Sequence, residues 1–270
     1  MRKSNKEETA YFEVKNLTKI FKTGVGVKNE SFTINKGQIV GFIGDNGAGK
    51  TTTIKLIFGE YKKDLGEVFL KGISTEKPEA LIKIAFFPDQ NNYPHQYKIK
   101  DYAYYCASLK GITKQYVDQY FNRFLEALSL EKFHKSRFDE LSAGMQKRAL
   151  LLATLVTDPE MIILDEPTAN LDVKSRLEFM EVLRFLAREY DKTIMITSHN
   201  IDELNLLIDK VVLVNHGEII YENDFDKTKE NLRDVYMKAI GDKETTINYE
   251  KIKAIVKEES ENKKNDKTNF

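Results

Sequence analysis

Apolar positions in this chain follow two rhythms, a short one at the start and a longer alternating one in the second half. From Tyr11 to Ile34, β-branched and aromatic residues come in short runs broken by Gly24 and Gly26, which predicts antiparallel strands joined by a turn. Gln38 to Ile43 is a short apolar strand running into a glycine-rich loop, and Lys50 to Phe58 continues as a helix. Strands are predicted at Glu67 to Leu70 and Ile84 to Phe87. Asp101 to Phe133 then carries tyrosine, leucine and phenylalanine at three- and four-residue spacing, the mark of a helical subdomain.

Helix and strand alternate after that. The pattern predicts helix Ala143 to Thr157, strand Met161 to Leu164, helix Val173 to Tyr190, strand Thr193 to Thr197, helix Ile201 to Ile208, and a hairpin turning at Asn215-His216-Gly217-Glu218. Alternation of this kind implies an α/β fold whose sheet is mostly parallel and covered by helices. The expected organisation is a flexible N-terminus (1–10), one large unit (11–224, with its helical subdomain at about 95–140), a helical extension (225–257) and a charged, flexible tail (258–270). In the extension, Tyr249, Ile252, Ile255 and Val256 keep a helical spacing, whereas Glu258 to Phe270 has almost nothing to bury.

Composition narrows the partners. Lys+Arg and Asp+Glu both number 42 in 270 residues, so no basic excess points to nucleic acid. The nearly apolar run Ala149 to Val156 falls far short of the ~20 residues that cross a bilayer. Met1 to Thr9 is polar with no apolar stretch behind it, so no secretory signal is expected, and the lone Cys106 suits a reducing compartment.

The chemistry begins at Gly44-Asp45-Asn46-Gly47-Ala48-Gly49-Lys50-Thr51, which satisfies G-x-x-x-x-G-K-[ST] between a strand and a helix. Small residues there let successive backbone N–H groups wrap a phosphate chain, and the helix aims its positive end at the same point. Lys50 is expected to reach the β- and γ-phosphates of ATP, Thr51 to hold Mg²⁺, and Thr52 to add a phosphate contact. Met161 to Leu164 ends in Asp165-Glu166. Asp165 is expected near the metal, and Glu166, on the other side of the strand end, as the base that orients and deprotonates water. On its own that pair also reads as a solvated acidic turn.

Leu141-Ser142-Ala143-Gly144-Met145-Gln146-Lys147-Arg148 puts a serine and a glycine at the start of a long helix. Ser142 is a natural N-cap, and a helix start is also an anion site. The stretch resembles the signature motif of ATP-binding cassette (ABC) proteins. Asn170-Leu171-Asp172 resembles the family's D-loop and Thr197-Ser198-His199 its switch histidine. The four motifs stand in the family's order, and the resemblance runs from about Tyr11 to Asn223.

That resemblance implies a P-loop ATPase with a nucleotide-binding α/β core, an antiparallel β-subdomain and a helical subdomain. It implies a head-to-tail dimer, of one subunit or two, in which Ser142 and Gly144 of one chain cover ATP bound at Lys50 of the other. His199 becomes a γ-phosphate contact. Phe21 stands where the family stacks an aromatic ring on adenine, with a core phenylalanine as the rival reading. The signature departs from the family at Ala143 and Met145. The glutamine expected after Ile84 to Phe87 is replaced by Asp89, with Gln90 one residue later, so both are candidates for contact with metal and nucleotide.

One cassette and a helical surface fit an ATP-binding transporter subunit at the cytoplasmic face of the cell membrane, working with a membrane-spanning partner. Translation-associated relatives join two cassettes in a chain, and chromosome or repair ATPases insert a long coiled coil. A metabolite kinase would leave Leu141 to Arg148 and His199 unexplained. The short helical subdomain resembles bacterial export systems of the ABC-2, drug or antibiotic-peptide kind.

Overall fold

A computed structural model describes residues 10–89, 92, 94–241, 251–253 and 255. The chain opens with strands β1 (Phe12–Ile20), β2 (Gly26–Ile34) and β3 (Ile39–Ile43), then helix α1 (Lys50–Ile57), β4 (Leu65–Leu70), β5 (Ile73–Ser74), the short α2 (Pro78–Leu81) and β6 (Ile84–Phe87). Helices α3 (Ile99–Leu109), α4 (Lys114–Ala127) and α5 (Ala143–Leu155) follow. Then come β7 (Met161–Asp165), α6 (Val173–Tyr190), β8 (Thr193–Ser198), α7 (Ile201–Leu204), β9 (Lys210–Asn215), β10 (Glu218–Asp224) and α8 (Leu232–Ile240).

Two sheets result. The first is antiparallel in the order β2-β1-β4-β5, and the second runs β10-β9-β3-β8-β7-β6. In the second sheet β3 pairs in parallel with β8 and β9, β7 with β8 and β6, and β10 alone runs antiparallel. The central strands β3, β7 and β8 are buried along their whole length. Their unbroken apolar runs are what a parallel sheet covered on both faces requires.

One hydrophobic core lies between the two sheets and includes Ile54, Leu56 and Ile57 of α1. The other joins the large sheet to the later helices and includes Ile99, Ala103, Val117, Phe121 and Leu125, which repeat at helical spacing on α3 and α4. Side chains close several helix starts. Thr113 accepts from the Tyr116 N–H, Ser142 from Met145, and Asp172 from Ser175.

Several elements differ from the sequence reading, among them β5 and α2, which it did not predict. The helix predicted over Ile201 to Ile208 stops at Leu204, because Leu207 and Ile208 turn inward to be buried and Asp209 accepts the Ile39 N–H at 2.9 Å, feeding the chain straight into β9. Gly26 does not interrupt the first strands but starts β2, paired with Ile20. Among the described residues no helix is long and apolar enough to cross a membrane. Residues 251–253 and 255 are helical with Ile252 and Ile255 exposed. The expectations for 1–9, Tyr249, Val256 and 258–270 lie outside the described residues.

Candidate functional site

Strand β3 carries the chain to the edge of the large sheet at its carboxyl end, where open α/β sheets hold ligands. There Gly44 passes so close to the neighbouring strand that a Cβ would stand 2.3 Å from the Val214 carbonyl oxygen, and Gly49 starts α1 from φ 117°. Both positions demand glycine. Lys50 is the first residue of α1 and is 6% exposed. Its Nζ donates to the carbonyl oxygens of Gly44 at 2.6 Å and Asp45 at 3.2 Å, and lies 3.8 Å from Glu166 Oε1.

Strand β7 delivers the carboxylates beside it. Asp165 is buried, accepts from the Thr51 hydroxyl at 3.0 Å through Oδ2, and accepts from the Thr197 hydroxyl at 2.6 Å through Oδ1. Burial raises its pKa above the ordinary carboxylate value. The two hydroxyl bonds pull it back down, and the charges of Asp89 and Glu166 raise it further. The same Thr197 oxygen accepts the Glu166 N–H at 3.0 Å.

Glu166 corrects an expectation. Strand alternation sends it to the opposite side from Asp165, but its φ of 45° ends the strand, and both carboxylates line one cavity of about 410 Å³. Glu166 Oε2 accepts from His199 Nδ1 at 3.0 Å, with the ring proton assigned to that nitrogen, whereas Oε1 is buried with no hydrogen bond.

The cavity is also lined by Phe21, Asn46, Gly47, Gly49, Lys50, Thr51, Thr52 and Asp89. Phe21 meets Tyr61 edge-on, with ring centroids 5.4 Å apart, and belongs to neither core. Gly44, Asp45 and Ala48 form the loop without lining the cavity. Gln90 lies outside the described residues. Ser142 and Gly144 are not at the cavity. Ser142 is exposed at the start of α5, and Gly144 lines a separate pocket against α6.

Four participants escaped the sequence reading. Thr197 was visible only as part of a motif, yet it links Asp165 to Glu166. Gly26 and Val25 line the cavity from β2 and the turn before it. Tyr236 of α8 donates to Asp45 Oδ1 at 2.8 Å, and nothing in its sequence neighbourhood signals that.

The donor set suits a hard divalent cation. Thr51 and Asp165 offer oxygen atoms side by side, and among the described residues no group of three or more His, Cys, Asp or Glu side chains forms a closed metal cage. A hydroxyl and a carboxylate oxygen are hard donors of the kind such a cation takes. The chain's own contribution is a buried ammonium, a hydroxyl–carboxylate pair and a carboxylate with a bare oxygen, all on one cavity. This is equipment for phosphoryl transfer to water.

Residues 27–169 match the family model described as ABC transporter. The chain is 33% identical over 217 residues to the petrobactin import ATP-binding protein YclP of Bacillus subtilis, covering 78% of this chain and 85% of that one. To the ABC transporter ATP-binding protein NatA of the same organism it is 30% identical over 210 residues, covering 77% and 85%. Among solved structures, the dimeric bacterial ABC transporter cassette MJ0796 matches with a TM-score of 0.70 at 26% identity, covering 80% of this chain and 99% of that one. An ATP-binding subunit of an ABC transporter matches in fold with a TM-score of 0.76 at 20% identity, covering 86% and 100%.

Proposed function

The chain belongs to the ABC transporter family as an ATP-binding cassette, an ATPase fold, and from that premise we propose that it powers export through a separate membrane-spanning subunit by closing and opening as a dimer. The observation that carries the reading is the convergence on one cavity of Lys50 and Thr51 from the start of α1 with Asp165 and Glu166 from the end of β7.

Each of these residues has a distinct task in the proposal. The phosphate loop binds the triphosphate through its backbone N–H groups, and Lys50 supplies the cation facing the β- and γ-phosphates. Thr51 and Asp165 would hold Mg²⁺, with Asp89 at the same cavity wall; the metal would supply positive charge against the triphosphate. Glu166 takes the proton of the attacking water on Oε1, which lies 3.8 Å from Lys50 Nζ and accepts no hydrogen bond, while His199 holds Oε2 and fixes the carboxylate's orientation. His199, 56% exposed at its side chain, is also placed to meet the γ-phosphate as the dimer closes. Phe21 offers its face to the adenine ring.

Ser142 and Gly144 stand outside their own chain's cavity, which supports their use against the nucleotide of a second subunit, identical or not. Closure then moves α3 and α4 of each chain relative to its mate, and a membrane partner docked on them moves too. The proposed location is peripheral, at the cytoplasmic face of the cell membrane. Export is favoured by the single cassette and the short helical subdomain. The petrobactin importer among the relatives makes direction a matter for assay: substrate entering inside-out vesicles on ATP addition supports export, and exit supports import.

The chemistry is tested by Glu166→Gln, which keeps the shape of the side chain and removes the base. ATP binding is expected to persist while turnover falls on the order of a hundredfold or more, with the protein accumulating as an ATP-bound dimer. Near wild-type turnover overturns the assignment.

A further inference from the structure

Helix α8 reaches the phosphate loop. It begins beyond the stretch, Tyr11 to Asn223, over which the chain resembles its family, yet it is firmly seated. Leu232 and Val235 are buried in the core between the large sheet and the later helices, the Leu232 N–H donates to Asn205 Oδ1 at 2.8 Å, and Arg233 pairs with Asp202 at 2.7 Å. Tyr236, one turn on from Leu232, packs its ring against the same core and donates its hydroxyl to Asp45 Oδ1 at 2.8 Å. Burial first, and then the bond to Asp45, push the Tyr236 pKa up to about 12, so the hydroxyl keeps its proton and remains a donor at neutral pH.

Asp45 is held at both of its polar ends. Its carboxylate accepts from Tyr236, and its carbonyl oxygen accepts from the Ala48 N–H inside the loop at 3.1 Å and from Lys50 Nζ at 3.2 Å. On either side the loop is fixed by the sheet: Gly44 lies against the Val214 carbonyl, and the Gly217 N–H donates to the Ala48 carbonyl at 2.7 Å. Between those anchors Asp45, Asn46 and Gly47 are exposed. A triphosphate that draws the Lys50 ammonium to itself takes that ammonium from the Asp45 carbonyl. The Tyr236 bond is out of its way, because neither Asp45 nor Tyr236 lines the cavity. We propose that Tyr236 is a positioning residue for ATP binding, which through Asp45 holds the phosphate loop in its binding form once Lys50 has turned to the nucleotide.

The consequence is a difference between two states. Without nucleotide Asp45 keeps the Lys50 bond as well, so loss of the tyrosine hydroxyl costs little. With nucleotide the hydroxyl carries the hold, and its loss falls on affinity as an ordering cost. The reaction at Glu166 is untouched. This rests on the ATPase reading above and adds to it a helix that reading does not use.

The experiment is a double-mutant cycle on the full chain. Binding of a fluorescent ATP analogue and urea unfolding are measured on the chain itself, and ATPase kcat and KM on its complex with the membrane partner. The variants are Tyr236→Phe, Asp45→Ala, their double, Arg233→Ala and Lys50→Ala. Tyr236→Phe keeps the ring and removes the donor. It is expected to raise KM and the dissociation constant of the analogue roughly fivefold, the worth of a single hydrogen bond, with kcat and the urea midpoint little changed. The double variant is expected within about twofold of the weaker-binding single one, since both substitutions remove the same bond. Arg233→Ala breaks the pairing of α8 with Asp202 but spares the loop contact, so its KM stays at the wild-type value. A merely structural tyrosine would lower stability and leave KM alone. Unchanged affinity in Tyr236→Phe, losses that multiply in the double variant, or an equal rise of KM in Arg233→Ala overturns the inference. If Tyr236→Phe does not fold, Asp45→Ala removes the same bond from the loop side and is read by the same criteria. Normal binding and turnover in Lys50→Ala overturn the underlying reading and the inference with it, whereas impaired Lys50→Ala beside unchanged affinity in Tyr236→Phe overturns the inference alone.

Discussion

Glu30 of β2 offers a test of the fold's energetics that is independent of nucleotide. The residue is 0% exposed; its Oε2 accepts from the Thr53 hydroxyl at 2.7 Å, and its Oε1 has no hydrogen bond. Burial raises its pKa from an ordinary 4.5 to about 8, with the Thr53 bond pulling only partly the other way. The folded protein therefore holds a proton here at neutral pH that the unfolded chain releases. Stability from this group is fully present below pH 4.5 and is lost progressively as pH rises to about 8. Each pH unit in that window is worth about 1.4 kcal/mol, so at pH 7 the group disfavours folding by about 3 kcal/mol relative to pH 4.5. Glu30→Gln keeps the shape and an acceptor for Thr53 but cannot ionise. Urea unfolding followed by circular dichroism from pH 5 to 8.5 should show the variant gaining on the wild type by about 1 kcal/mol per pH unit, with the gap closing at the acid end. A difference constant across that range would mean that Glu30 has the same charge folded and unfolded, and would refute the reasoning.

Lys50→Ala removes the buried ammonium at the phosphate loop. It should lower turnover on the order of a hundredfold or weaken ATP binding correspondingly, read by steady-state ATPase and fluorescent-nucleotide titration. Thr197→Val deletes the hydroxyl that bridges Asp165 and the Glu166 N–H, so it should cost about 1–3 kcal/mol of stability in urea unfolding and reduce kcat. Ser142→Arg should bind ATP but fail as a homodimer. Mixed with Lys50→Ala, it should recover at most about half of normal ATPase activity, since one composite site is then intact, whereas full activity of Ser142→Arg as a monomer would refute the shared site.

How much of this molecule could be read from its sequence depended on which rule each residue obeys. The limits of β6 and α6 matched the structure because a short apolar run, buried but for Phe86, and a 3.6-residue stripe leave little freedom of placement. The phosphate loop was legible because its glycines answer to local sterics, such as the close approach of Gly44 to Val214. Glu166 was misplaced because alternation was extended one residue past the end of the strand, into a left-handed turn that the pattern does not encode.

Buried charge was the least legible class. A pattern reading assigns every lysine and glutamate to solvent, so Glu30 within VKNES and Lys147 within GMQKR look like ordinary exposed positions. Their surroundings are built by residues distant in the chain: Thr53 of α1 for Glu30, and the Phe87 ring for Lys147. Neither has the full set of hydrogen bonds that would make its burial inexpensive. No ion pair reaches Glu30 among the described residues, so neutralisation by a proton is its route to burial. Glu30 and its partner Thr53 both stand off the lining of the nucleotide cavity. Glu30→Gln should therefore alter stability with pH and leave kcat at neutral pH nearly unchanged, and a fall in kcat with unchanged pH dependence of unfolding would show that the carboxyl serves the site and not the fold.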